Sequence, residues 1–99
     1  MDEKKIKKIC DVLSSETRLK IIKLFTNKKH SAVEAYRKYN ETYPDNKQRE
    51  TIYRELEKLV EADILKKSYN QNKKSLEYKL NLSAISINMR GLKIETKVI

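Results

Sequence analysis

The sequence TIYRELEKLVEADILKK, residues 51–67, changes its apolar pattern partway along. Its first part repeats apolar side chains at the spacing of one helix face: Ile52, Leu56, Leu59 and Val60. After Asp63 an apolar pair leads into two lysines, which is typical of a helix that has ended and a strand that begins. The stretch therefore predicts a helix over 47–62 followed directly by a strand.

Three more helices are predicted upstream. Apolar side chains recur at helical spacing over residues 3–13 and 16–26, and again from Ser31 onward. Glu34 follows Ser31 by three residues, as in a capping box. Pro44 begins a polar turn before the fourth helix.

Downstream the apolar period changes from helical to alternating. Residues 64–69 and 76–82 flank a polar loop and predict an antiparallel hairpin, with Glu77 among the outward-facing positions. The segment 83–99 alternates again and is rich in β-branched residues, which favours strands. A short helix capped by Ser83 is the alternative.

A helix, a turn, a helix and then a basic hairpin form the order of a winged helix-turn-helix domain. The predicted fold is mainly α with a small β wing. We place this domain at residues 1–82. Residues 83–99 are a C-terminal extension and a candidate segment for dimerisation through extra strands.

Composition points to an acidic partner. The 99 residues include 23 Lys and Arg against 14 Asp and Glu, a net charge of +9. In a domain of this size that excess favours nucleic acid first and an anionic membrane second. The alternative is that lysine merely keeps the protein in solution.

Several classes of protein are disfavoured. The single cysteine, Cys10, cannot form an intrachain disulfide and suits a reducing compartment. No apolar stretch approaches the roughly 20 residues needed to cross a bilayer, so we expect a cytoplasmic protein without a membrane partner. With Gly91 as its only glycine the chain lacks phosphate-cradling loops, and no histidine is placed against a nucleophile. We therefore expect no enzymatic activity and no cofactor.

The polar side of helix 47–62 is suited to reading the major groove of DNA. Arg and Lys donate to guanine, Gln pairs with adenine, and hydroxyl groups reach phosphates. The candidate contacts on this segment are Lys47, Gln48, Arg49, Thr51, Tyr53, Arg54 and Lys58. The alternative is a solvated surface with salt links such as Glu50 to Arg54.

Basic charge is denser on the hairpin, residues 66–79. A wing of this kind lies along phosphates or enters the minor groove. Its candidate contacts are Lys67, Asn72, Lys73 and Lys74. Alternatively, these lysines protect an edge strand from pairing with other proteins.

Two segments resemble known repressor families. LSSETRLKIIKLF, residues 13–25, is similar to the start of the second helix in arsenical-resistance repressors. HSAVEAYRKYNETYPDNKQRETIYRELEKLVEADIL, residues 30–65, resembles the DNA-binding half of ferric-uptake repressors, which share a Tyr-Pro turn and a Thr-Val-Tyr-Arg-x-Leu-x-x-Leu phrase. The resemblance implies that Tyr53 contacts bases or sugar and that Arg54 contacts a phosphate.

The chain departs from both families at defined positions. Gln48 stands where ferric-uptake repressors have a serine cap, and their histidine clusters are absent from this sequence, as is the paired-cysteine motif of the arsenical type. A closed zinc site needs about four ligands, whereas Cys10 and His30 have no matching partners. We predict that Cys10 is a core residue and that His30 is a surface or phosphate-contacting residue.

The sequence thus predicts a homodimeric transcriptional regulator, such as a repressor, that binds double-stranded DNA. Pairing two domains doubles the number of base pairs that are read. The alternative is a winged-helix module that binds a protein. RNA binding is disfavoured because the tyrosines fall mainly at helix-core spacing. No small-molecule effector is identifiable.

Overall fold

The computed structural model describes residues 2–99, which form four helices followed by two β-hairpins. The helices are α1 (Asp2–Leu13), α2 (Glu16–Leu24), α3 (Ala32–Thr42) and α4 (Arg49–Glu61). The strands are β1 (Leu65–Asn70), β2 (Ser75–Leu80), β3 (Leu82–Asn88) and β4 (Lys93–Val98). The predicted order of helices and wing is confirmed.

The core lies where α2, α3 and α4 meet beneath the first hairpin. Ile52, Leu56 and Leu59 of α4 are fully buried, as the apolar spacing predicts, and Val60 is half-buried. They pack with residues of α2 and α3, the largest being Phe25 and Tyr39. Burial of one face fixes α4 in the domain by the hydrophobic effect and leaves its other face to solvent.

Local hydrogen bonds define where the helices begin. The Ser15 hydroxyl accepts from the backbone N–H of Arg18 at 3.2 Å, which caps α2. At α3 the predicted capping box is confirmed: Ser31 Oγ accepts from the N–H of Glu34 at 3.2 Å, and Glu34 Oε1 accepts from the N–H of Ser31 at 2.7 Å.

The first hairpin is joined by a residue from the α2–α3 connection. Strands β1 and β2 pair from Leu65 opposite Leu80 to Asn70 opposite Ser75. His30 then bridges to Tyr78 through backbone hydrogen bonds of 3.0 and 2.8 Å. This bridge fastens the wing to the start of α3.

The tail forms a second antiparallel hairpin, so the strand prediction is confirmed and the alternative of a helix capped by Ser83 is wrong. Ile85 and Ile94 share one face of this hairpin and pack against the core. The backbone N–H of Ile94 also donates to Oδ2 of Asp2, at 3.1 Å. Helix α1 and the second hairpin therefore support each other within one chain.

Two predictions about single residues are wrong. Cys10 is exposed, because Ile9 is the residue that α1 directs into the core. His30 is buried with 7% of its surface exposed, and its Nε2 lies 3.1 Å from the carbonyl oxygen of Leu24. Its ring also meets Phe25 edge-on, with 5.2 Å between ring centroids. His30 is therefore a structural residue that joins α2 to the wing.

Within residues 2–99, no helix combines the length and apolar character required to span a membrane.

Candidate nucleic-acid interface

The start of α4 is held by a side chain of α3. Asn40 Oδ1 accepts from the backbone N–H of Lys47 at 2.9 Å, and Asn40 Nδ2 donates to the carbonyl of Lys47 at 3.0 Å. Because both polar groups of Lys47 are used in this way, α4 begins at Arg49 rather than at the predicted residue 47. Within the described chain, the side chain of Gln48 caps no N–H group of the helix.

Asp45 fixes the turn before α4. It accepts from the hydroxyl of Tyr39 at 2.9 Å and from Nζ of Lys20 at 3.3 Å, and Nζ of Lys47 lies 3.6 Å from Oδ2. Burial is the main cause that raises the pKa of Tyr39 to about 12, and the hydrogen bond from its hydroxyl to Asp45 adds to the effect. The Tyr39 hydroxyl lowers the pKa of Asp45 below its usual range. Lys47, a predicted DNA contact, is therefore half-buried and paired with a carboxylate.

The exposed side of α4 carries most of the other predicted contacts. Gln48, Arg49, Arg54 and Lys58 are exposed, and Thr51 and Tyr53 are half-buried at its edges. The guanidinium of Arg49 lies 5.6 Å from the ring centroid of Tyr36 on α3. This stacking restricts the orientation of Arg49 through a cation–π contact.

Glu55, which sequence reasoning did not single out, is a buried acid on the apolar side of α4. It forms an ion pair with Arg18 of α2, and Arg18 also donates through Nε to the carbonyl of Val12 at 2.7 Å. Nε of Arg54 and Nζ of Lys58 each lie 3.7 Å from Oε2 of Glu55. In the structure the neighbour of Arg54 is therefore Glu55 and not the expected Glu50.

Glu57 joins α4 to the wing. Its Oε2 accepts from the hydroxyl of Tyr78 at 2.6 Å, and its Oε1 accepts from Nζ of Lys67 at 2.9 Å. The Tyr78 hydroxyl, followed by the charge and hydrogen bond of Lys67, lowers the pKa of Glu57. Burial and the Glu57 carboxylate raise the pKa of Tyr78. Lys67 is thus directed at the helix as well as being exposed.

The tip of the wing is organised by a second buried acid. Glu77 Oε1 accepts from Nδ2 of Asn70 at 3.0 Å, and Nζ of Lys73 lies 3.6 Å from Oε2 of Glu77. Asn70 Oδ1 also accepts from the backbone N–H of Lys73 at 3.0 Å. The prediction that Glu77 faces solvent is wrong, because these polar partners enclose it. Asn72, Lys73 and Lys74 are exposed at the tip, as a contacting wing requires.

A basic depression lies beside α3, close to the wing. Four cations line it, together with His30, Glu34 and Glu41: Lys28, Lys29, Arg37 and Lys38. The backbone N–H of Ser31 is the main cause that lowers the pKa of Glu34, and the charge of Lys73 also contributes. His30 lines this depression and bridges to Tyr78, so the depression lies beside β2. Arg37 and Lys38 were not among the predicted contacts. The signal in the sequence is that they closely follow Lys28 and Lys29 along the chain.

Internal pairing divides the predicted cations into two groups. Five of them lie within 4 Å of a carboxylate of the same chain: Lys47, Arg54, Lys58, Lys67 and Lys73. Arg49 and Lys74 form no ion pair among residues 2–99. These two are the cations most available for a ligand.

Across the described chain, no three His, Cys, Asp or Glu side chains form a group that could hold a metal ion.

No protein-family model and no curated protein sequence matches this chain. Its fold is similar to that of the ferric uptake regulator Fur of Vibrio cholerae, whose crystal structure reveals a rearrangement of the DNA-binding domains of that protein. The TM-score is 0.60 at 18% sequence identity, and the match covers 86% of this chain and 68% of that chain. The chain therefore has the winged helix-turn-helix fold found in a DNA-binding regulator.

Proposed function

We propose that this chain is a transcriptional regulator that binds double-stranded DNA in a sequence-specific manner as a homodimer. The observation that carries the proposal is the placement of α4, whose apolar face is buried while its polar face is exposed beside a basic wing. In a helix-turn-helix domain the second helix of the motif lies in the major groove and the first crosses the backbone. Here these helices are α4 and α3.

The interface divides into base-reading and phosphate-binding parts. The base-reading candidates lie at the N-cap and in the amino-terminal half of α4, where side chains reach base edges: Gln48, Arg49, Thr51, Tyr53 and Arg54. Lys58, the wing residues Lys67, Asn72, Lys73 and Lys74, and the basic depression beside α3 supply phosphate contacts.

Dimerisation follows from the small number of base pairs that one helix reads. An apolar groove between the helices and the second hairpin is the surface we propose for it. The groove is lined by Leu13, Ile22, Ile64, Leu80, Leu82, Ala84 and Ile85, together with Ser83. Sedimentation at micromolar concentration tests this part, because a monomeric mass in the presence and absence of DNA would contradict it.

Selection of bound duplexes from a random-sequence pool tests the whole proposal. We expect enrichment of a near-palindromic site with half-sites about one helical turn apart. Affinity for that site should fall steeply with salt because bound cations displace counterions. A transcription assay on the selected site then tests repression against activation.

The second candidate is a winged-helix module that binds a protein partner through the same face. The near balance of acidic and basic side chains on the exposed side of α4 favours this reading, since Glu50 and Glu61 stand among Arg54 and Lys58. Failure to enrich any duplex at low salt would favour it over DNA binding.

A further inference from the structure

The wing carries an exposed apolar pair that the proposed contacts leave unexplained. Tyr69 of β1 and Leu76 of β2 are directly opposite each other in the register. They are 58% and 48% exposed. Directly opposite residues project from the same face of a hairpin, so the two side chains form one contiguous apolar surface.

This surface is on the side of the wing that faces α4. Residues two apart on a strand share a face, so Tyr69 shares its face with Lys67, and Leu76 shares its face with Tyr78. Lys67 and Tyr78 both bind Glu57 of α4. The same face is therefore packed on the helix at one end of the hairpin and open at the other.

The open end points toward the amino-terminal half of α4. Strand β1 begins soon after α4 ends and reaches Glu57 by Lys67, so it runs back alongside the helix. Tyr53 lies four residues before Glu57 in α4 and so is on the same side of that helix. Tyr69 and Leu76 lie two residues further toward the tip of the hairpin, on the same face as Lys67 and Tyr78.

The surroundings of the pair select DNA as the occupant. Three basic side chains lie around the pair: Lys67 on the same face, and Lys73 and Lys74 at the tip. The tip beyond the pair is held in place by the hydrogen bonds of Asn70 to Glu77 and to the backbone of Lys73. An apolar surface inside a cationic rim matches deoxyribose and base edges between two rows of phosphates.

We propose that Tyr69 and Leu76 dock in the minor groove beside the major groove that α4 occupies, where they pack on deoxyribose and base edges. This inference rests on the proposed function. It adds an apolar, salt-independent contact to a wing that otherwise binds phosphates. It also gives the wing a preference for A·T pairs, because the 2-amino group of guanine projects into the minor groove.

The test uses the full chain and the duplex recovered by selection. Tyr69→Thr and Leu76→Thr introduce a β-branched residue that suits a strand and remove the apolar contact. We expect each to lower affinity by about tenfold without changing the salt slope, since no phosphate contact is lost. Tyr69→Phe keeps the ring and should bind like the wild type.

Leu19→Ala is the matched control, because Leu19 is 48% exposed, as Leu76 is, and lies on α2 outside the proposed contacts. It should leave affinity unchanged. Circular dichroism and thermal unfolding of each variant show whether weaker binding comes from the lost contact or from an unfolded hairpin. If a threonine variant does not fold, the affinity of the wild-type protein is measured instead for duplexes that carry G·C or inosine·C pairs at the wing. Inosine lacks only the minor-groove amino group, so it should restore affinity that G·C loses.

Each outcome is decisive. Threonine variants that bind as tightly as the wild type, or inosine pairs that behave like G·C, overturn the inference and leave the proposed function standing. If the wild type enriches no duplex, the proposed function itself fails. If the threonine variants convert a dimer of the free protein into a monomer, the pair is a contact between copies and the inference is wrong.

Discussion

The hydroxyl of Tyr78 on β2 donates a 2.6 Å hydrogen bond to Oε2 of Glu57 on α4. Lys67 on β1 binds the other oxygen of the same carboxylate at 2.9 Å. Both strands of the wing are thus attached to the middle of the helix that is proposed to enter the groove. The angle between helix and wing is fixed before any ligand arrives, which lowers the entropy lost on binding.

Tyr78→Phe should loosen this attachment. We expect a loss of about 1 kcal/mol in the free energy of unfolding, the usual value for one hydrogen bond, and a weaker affinity for the selected duplex. Chemical denaturation and a binding titration measure the two effects. Tyr36→Phe is the control, because Tyr36 lies on α3 and its ring, rather than its hydroxyl, contacts Arg49. Equal effects of the two variants on DNA binding would contradict the role given to the Tyr78 hydroxyl.

Stability should fall in acid through carboxylates that include Glu57. Their pKa is lower in the folded chain than the ordinary value of 4.5, so the unfolded chain binds more protons at low pH. The stabilisation is complete above pH 4.5 and is lost as the pH falls through the folded pKa. Glu57→Gln removes one contributor, so the difference in unfolding free energy between wild type and variant should shrink as the pH falls below 4.5. A difference that is constant over this range would contradict the assignment.

Loss of either Arg18 or Glu55 alone should destabilise the fold strongly, because it leaves the other charge buried without its partner. Arg18→Met leaves a buried carboxylate with Arg54 and Lys58 at 3.7 Å as its remaining partners. We expect a loss of about 3 kcal/mol in unfolding free energy, at the low end for a broken buried pair because those partners remain. The double variant Arg18→Met, Glu55→Leu should recover most of this loss. Denaturation of the single and double variants measures the difference, and an additive result would show that the two residues do not interact.

A substitution at Gln48 should change the stability of the chain and its affinity for DNA in opposite directions. Replacing it with serine supplies a hydroxyl that can accept from the N–H of Thr51, which should stabilise the chain by about 0.5–1 kcal/mol. The same change removes a side chain proposed to read bases, so affinity for the selected site should fall. Opposite signs in the two measurements are the expected result. A variant that is both more stable and tighter binding would remove Gln48 from the interface.

Lys74 and Lys73 should differ in their effect on the salt dependence of binding. Lys74 is exposed without an ion pair among residues 2–99, whereas Lys73 lies 3.6 Å from Glu77. Lys74→Ala should reduce the slope of log affinity against log salt by about 1, and Lys73→Ala should reduce it by less. Lys23→Ala, on the exposed side of α2, is the charge-matched control. Equal slopes for Lys74→Ala and Lys23→Ala would contradict a phosphate contact from the wing tip.

The fold was predictable because local sequence patterns specify its helices and strands. The spacing of Ile52, Leu56 and Leu59 specifies the buried face of α4, and Ser31 with Glu34 specifies the start of α3. The alternation in the tail indicated strands. The start of α4 was not predictable to the residue, because Asn40, which is seven positions before Lys47, decides it.

The candidate site was predictable in outline and not in its pairing. Cations at Lys47, Arg54 and Lys67 look available in the sequence, but each lies within 4 Å of a carboxylate in the folded chain. Glu77 looked like an outward strand residue, although Asn70 and Lys73 of the tip enclose it. The contacts of Lys67 with Glu57 and of Asn70 with Glu77 join different elements, so the linear sequence pattern does not reveal them.

The acids placed among the cations have a consequence for how the protein would search a genome. A phosphate that binds Lys67 or Arg54 must compete with Glu57 or Glu55, which already neutralise them. On DNA of random sequence, few phosphates would displace these carboxylates, so the protein would stay bound only briefly. Fewer counterions would also leave the DNA than a net charge of +9 suggests. Only a site whose bases also engage α4 would hold the chain long enough for all the exchanges to occur.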